Sequence, residues 1–150
     1  MELPAQYNAK EVEDKIYRLW EQSGFFDPDK LPGKGKPFTI IMPPPNANGS
    51  LHLGHAIFVA LQDIMIRYKR MQGFKTLWLP GADHAGFETQ VVYDKKLEKE
   101  GRNRFEIPKD QLYQEILDFT LANKKIMESQ IKKLGASCDW SREKFTLDKD

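Results

Sequence analysis

The chain has 150 residues, 40% of them hydrophobic and 30% charged, and a net charge of +1. That length suffices for one domain with a real core, and the charge balance excludes a global signature for nucleic acid or a membrane surface, though local basic patches stay compatible with an RNA partner. No run approaches the roughly 18 apolar residues of a membrane span, the N-terminus lacks a signal-peptide core, and the single cysteine, Cys138, leaves no disulfide framework. The expectation is a soluble, globular, cytoplasmic protein with no membrane partner.

In chain order, "YNAKEVEDKIYRLWEQSGFF" opens a helix. Asn8 is placed to cap it, Glu11 to complete a capping box, Val12, Ile16, Leu19 and Trp20 to share one face, and Gly24 to stop it. Residues 27–37 form a loop by their Pro, Gly and Lys content. "FTIIM", 38–42, is short, β-rich and apolar, which predicts a buried strand. "PPPNANGSLHLGH", 43–55, cannot continue it, because three prolines fix φ and donate no N–H. From Leu53 to Met71 the spacing predicts a helix, with Ile57, Leu61, Ile64, Met65 and Tyr68 as its apolar face and Gly73 beyond its end. "TLWLP", 76–80, is a second apolar strand with "GADHAGFETQ" at its exit. Helices follow over Glu88 to Lys99 and Lys109 to Leu134, and "GASCDWSREKFTLDKD" closes the chain as irregular structure with a short strand.

Strand, loop, helix, strand is a βαβ unit, which favours parallel pairing. The Gly-rich segments 43–55 and 81–86 both follow strands, so both fall at the carboxyl edge of the sheet, where open α/β sheets bind ligands.

Each segment carries residues suited to chemistry. His52 and His55 flank Gly54 at a helix start, where free N–H groups and the dipole favour an anion, and two imidazoles can donate to phosphate oxygens. Gly54 leaves room for a flat ring or a phosphate to approach. The plainer alternative is two surface histidines near a cap, and zinc is disfavoured because no spacing matches a closed structural site. Asp83 in "GADHAG" is an ion-pair candidate for a substrate ammonium, or else a turn aspartate. His84 can orient Asp83, contact nucleotide or simply pack. "IRYKRM", 66–71, suits either nucleic acid or a helix C-terminus. "YDKKLEKEGRNR", 93–104, suits a solvated helical face, the tryptophans suit the core, and Cys138 has no neighbouring base to activate it.

"PPPNANGSLHLGH", "RYKRMQGFKTLWLPGADHAGFETQ" and "LGASCDWSREKFTLD" together resemble the N-terminal part of the valyl-tRNA synthetase family. "HLGH" matches the HIGH signature of class I aminoacyl-tRNA synthetases. The proline-rich lead-in with "DHAG" separates the valine enzymes from their isoleucine and leucine relatives. The resemblance implies a partial Rossmann-like α/β nucleotide-binding fold with parallel strands and crossover helices. It divides the chain into an N-terminal helix and loop, 1–37, and the first half of the catalytic domain, 38–150. It also implies activation of valine by ATP, with substrate-bound Mg2+, and transfer of the valyl group to tRNA(Val). ATP binding would fall to Gly49, His52, Gly54 and His55, with the two histidines catalytic. Pro43, Pro44 and Asn46 would shape the amino-acid pocket, and Asp83 would hold the ammonium.

Three departures bear on this. "NANG" leans toward the isoleucine enzymes, and "FETQ" stands where a small apolar residue and alanine usually precede the threonine. The chain also lacks a lysine-methionine-serine-lysine-serine-type loop, an editing insertion and anticodon-binding helices, so the expectation is half of an active site. A non-catalytic nucleotide-binding fragment and an isoleucine-type segment stand as alternatives.

Overall fold

The computed structural model describes residues 6–32 and 35–149. Among the described residues there are four α-helices, α1 Ala9–Ser23, α2 Leu53–Met71, α3 Gly86–Lys99 and α4 Lys109–Lys133, and two short 3-10 helices. Among the described residues the strands are β1 Pro37–Ile41, β2 Lys75–Leu79, β3 Gly81–Ala82 and β4 Lys144–Phe145. β1 and β2 pair in parallel, Phe38 opposite Thr76 and Ile41 opposite Leu79, with α2 as the crossover. The expected βαβ unit is therefore present, and the fold is α/β and Rossmann-like in part.

The predicted buried strand is the wrong one of the two. β1 alternates between exposed and half-buried residues, whereas β2 buries Thr76 and Trp78 completely. The reason is position. β1 has a strand neighbour on one side only among the described residues. β2 is flanked on its far side by the C-terminal run, through Asp139 N–H to Trp78 O (2.9 Å) and Lys144 N–H to Pro80 O (3.2 Å). Met42, one residue past β1, is buried and donates to Leu79 O at 2.9 Å.

α2 has the predicted bounds but presents its other face. Ile57, Leu61, Ile64, Met65 and Tyr68 are exposed, while Val59 and Ile66 enter the core. The same inward face carries polar groups with buried partners. Gln62 accepts from Trp78 Nε1 (2.9 Å), and Asp63 accepts from the backbone and hydroxyl of Ser137 (3.0 and 2.6 Å). Arg67 and Arg70 donate to Gly135 O and Ser137 Oγ (2.7 and 3.0 Å). These partners, not apolar spacing, select the face, and they occupy the two arginines of "IRYKRM", while Lys69 donates to Gln72 Oε1 at 3.0 Å.

α1 also departs from expectation at its start. Asn8 makes no capping bond; its amide donates to the Glu11 carboxylate at 2.7 Å, so the capping box does not form. Gly24 ends the helix in the left-handed conformation, as its sequence position suggests. Tyr17 ties α1 to the C-terminal run, donating to Ala136 O (2.9 Å) and accepting from Trp140 Nε1 (2.8 Å). The 93–104 stretch is not wholly solvated: Tyr93 and Leu97 are buried, and Arg102 and Arg104 pair with Glu115 and Asp94. The central core gathers Met42, Val59, Ile66, Trp78, Met127, Ile131 and Cys138. Burial pushes the Cys138 thiol well above its ordinary pKa, which suits the inert role expected of it.

Candidate functional site

The two motif loops meet because the backbone joins them. Ala47 N–H donates to Asp83 O at 2.7 Å and Asp83 N–H to Pro45 O at 2.9 Å, a parallel bridge between Asn46 and Asp83. This bridge extends the β1–β2 pairing past three prolines that cannot donate. Gly81 lies close against β4, where a Cβ would stand 3.2 Å from Lys144 O, and faces Pro44 Cβ at an ordinary contact distance of 3.6 Å. Pro43, Pro44, Asn46, Gly49, His52 and His55 then line one open depression of about 470 Å3, together with Phe58 and Glu88. That volume lies in the range of small-molecule sites.

At its rim the histidines cap α2. His52 is the N-cap, and its Nδ1 accepts from Gly54 N–H at 3.1 Å. His55 reciprocates, its Nδ1 accepting from His52 N–H at 3.2 Å. Histidine thus fills both positions of a capping box that Ser and Glu usually occupy. The consequence is chemical. A neutral imidazole whose Nδ1 accepts carries its proton on Nε2, so both rings are held as Nε2–H donors. The rings lie in contact, tilted by 52° with centroids 4.0 Å apart. Desolvation, and then the His52 ring beside it, lower the His55 pKa below its usual 6.5, which keeps it neutral near pH 7.

Gly54 has a more local reason than ligand clearance. A Cβ at that position would lie 2.8 Å from His52 Cε1, so the glycine makes room for the capping ring itself. At Gly49 a Cβ would meet nothing within 4 Å. The loop is held from below by Gln130 of α4, whose side-chain oxygen accepts from Leu51 N–H at 2.9 Å.

Asp83 does not line the depression; it is connected to it through the Asn46 bridge. Its Oδ1 accepts from Ala85 N–H (2.9 Å) and from the Thr146 hydroxyl (3.1 Å). Ala85 has φ of +55°, the one non-glycine in the left-handed region among the described residues. The carboxylate on the wall of the depression is Glu88, which accepts from the Asn46 amide at 2.7 Å. The sequence marked Glu88 as a helix start and as part of a departure, not as a site residue. Gln130 and Thr146 carry no sequence signal, because their roles depend on contacts 79 and about 62 residues away. Among the described residues no cluster of three or more His, Cys, Asp or Glu is placed to hold a metal. A larger groove, between α1 and the end of α4, contains none of the motif residues.

A parallel βαβ unit with a histidine-capped crossover helix and an acidic loop on one edge defines a class. The chain belongs to the class I tRNA synthetases of the isoleucine, leucine, methionine and valine group, whose family model matches residues 15–150. The particular relatives are valine–tRNA ligases. The chloroplastic/mitochondrial valine–tRNA ligase 2 of Arabidopsis thaliana is 54% identical over 136 residues, 91% of this chain and 14% of that protein. The valine–tRNA ligase of Clostridium acetobutylicum is 50% identical over 147 residues, 98% of this chain and 17% of its own length. The chain thus spans about a sixth of the length of such relatives. Among solved structures, the LeuRS of the Agrobacterium radiobacter K84 agnB2 LeuRS–tRNA–LeuAMS ternary complex shares the fold. The TM-score is 0.76 at 22% identity, over 95% of this chain and 16% of that one.

Proposed function

We propose that this chain is the N-terminal catalytic segment of a valine–tRNA ligase. In the assembled enzyme a valine carboxylate oxygen attacks the α-phosphorus of ATP and the bond to the β-phosphate oxygen breaks. Pyrophosphate leaves with the electron pair, bringing out the Mg2+ that ATP carried in. Valyl-adenylate then passes its valyl group to the terminal adenosine of tRNA(Val). The observation that carries this reading is the reciprocal histidine cap. Two Nε2–H donors, locked by backbone N–H groups at a helix N-terminus, stabilise negative charge that grows on the phosphate oxygens. Because the lock is made by the backbone, the donors are preorganised and need no reorientation as the charge develops.

Gly49 and Gly54 serve the nucleotide side. Pro43, Pro44 and Asn46 shape the amino-acid side, and Asp83 pairs with the ammonium. A small pocket of this kind excludes isoleucine by size but rejects isosteric threonine poorly. The names of the relatives reported above, valine–tRNA ligases, favour valine over the isoleucine-type alternative. A buried, unpaired Cys138 accords with a reduced compartment such as the cytoplasm, and no described helix is long and apolar enough to cross a membrane.

The test is a titration of the 15N-labelled chain with a non-hydrolysable valyl-adenylate analogue, followed by amide and imidazole shifts. The expected result is perturbation concentrated on Asn46, His52, His55 and Asp83, stronger than with the isoleucyl analogue. Perturbation elsewhere, or a stronger isoleucyl response, would overturn the assignment.

A further inference from the structure

Thr146 sits 62 residues from the acidic loop, yet its hydroxyl lies at the loop's centre. Oγ1 accepts from His84 N–H at 2.9 Å, lies 2.6 Å from His84 Nδ1, and donates to Asp83 Oδ1 at 3.1 Å. β4 brings it there: Phe145 pairs with Ala82, and Thr146 N–H donates to Ala82 O at 3.2 Å. The proton count with Asp83 as acceptor points to one tautomer of the ring. A hydroxyl has one proton and two lone pairs. An ionised Asp83 only accepts, so the hydroxyl proton goes to it. The His84 amide takes one lone pair, and the other faces Nδ1, an arrangement that a hydrogen on Nδ1 completes.

We infer that Thr146 is a positioning residue: it fixes Asp83 Oδ1, so that Oδ2 is left to accept from the ammonium group of the amino acid, and it holds His84 as the Nδ1–H tautomer. With Nδ1 protonated, the neutral His84 keeps a free lone pair on Nε2, which has no protein partner among the described residues. Asp83 Oδ2 has none either, while Oδ1 is fixed by Thr146 and Ala85. Both side chains are about two-fifths exposed, so both are open to a ligand. His84 is thereby the opposite tautomer of His52 and His55, whose Nδ1 atoms accept and whose Nε2 atoms donate. One edge of the sheet offers donors to an anion and, across the Asn46–Asp83 bridge, a carboxylate oxygen to a cation. An amino acid meeting ATP needs both.

The assignment of the ammonium to this loop rests on the proposed amino-acid activation; the tautomer does not. The chain has three histidines, so a long-range 1H–15N imidazole spectrum at pH 8 tests the tautomer completely. Two Nε2–H rings and one Nδ1–H ring, the latter assigned to His84, are expected. Thr146→Val should release His84 from that tautomer, and Thr146→Ser should restore it. Three Nε2–H rings in the unaltered chain, a measurement that needs no variant, would overturn the inference. The ammonium role is read separately, from valine binding by the assembled enzyme formed when this chain replaces the matching segment of the Clostridium acetobutylicum relative. Thr146→Val should raise KM for valine roughly tenfold, the scale of one lost hydrogen bond to a charged group, with kcat changed less and Thr146→Ser near the starting value. An unchanged KM with the tautomer shifted would overturn the ammonium role alone.

Discussion

Histidine at both ends of a capping box makes the local backbone responsible for the proton position on two rings. Substituting Gly54 separates this role from folding. Gly54→Ala gains helix propensity of about 1 kcal/mol while its Cβ displaces the His52 ring. Stability in urea should therefore change by less than about 1 kcal/mol, while the His52 imidazole loses its fixed tautomer in the nitrogen spectrum. A large loss of stability would mean that the ring cannot move. His55 gives a pH signature. Its folded pKa is depressed, so below 6.5 the unfolded chain takes a proton that the folded chain resists, and stability falls as pH falls through that range. His55→Gln keeps an acceptor at the N3 position and removes the titration. Its stability should decline less steeply below pH 6.5, and an identical slope would contradict the assignment. Both histidines were legible because their type and three-residue spacing carry the signal. Thr146 and Gln130 were not, since a lone threonine or glutamine acquires its role only from a partner many residues distant.

At the scale of elements, α2 shows what periodicity conveys and what it omits. Its bounds, Leu53 to Met71, follow from the sequence, because the capping motif and Gly73 bracket them. Which face turns inward does not follow, because the helix carries two apolar stripes. The deciding residues are Gln62, Asp63, Arg67 and Arg70, whose partners lie on Trp78 and residues 135–137. Substitutions on the two stripes should therefore diverge. Ile66→Ala empties a fully buried site and should cost about 2–5 kcal/mol. Leu61→Gln, at a position 58% exposed, should stay within about 0.5 kcal/mol. Urea unfolding of both variants measures this, and equal losses would reverse the face. The same logic explains the strands: β1 and β2 are equally apolar in sequence, and only the C-terminal run beside β2 decides which is buried.

Over the whole molecule, that C-terminal run is the organiser. Residues 136–146 touch α1 through Tyr17, α2 through Asp63, β2 through Trp78 and the acidic loop through Thr146. In the sequence it reads as irregular with a short strand, and outside β4 and a 3-10 turn at 140–142 it is, since it works mainly by hydrogen bonds to separate elements. Asp63, with a side chain only 15% exposed, satisfies Ser137 twice and Arg67 once. Asp63→Ala would leave the buried Ser137 N–H and hydroxyl without their acceptor, while Arg67 keeps Gly135 O, and should cost about 3 kcal/mol. Thermal unfolding would show it, and a loss below about 1 kcal/mol would mean that the run is held mainly by β2.

The central claim is that the joined motif loops form the activating half of a valine site. Amino-acid-dependent ATP–pyrophosphate exchange tests it most directly, with this chain replacing the matching segment of the Clostridium acetobutylicum valine–tRNA ligase. Valine, isoleucine, leucine and threonine are supplied separately. Exchange strongest with valine, and abolished by His52→Ala in a protein that remains folded, is the expected result. Exchange that prefers isoleucine, or that survives the loss of His52, would contradict it.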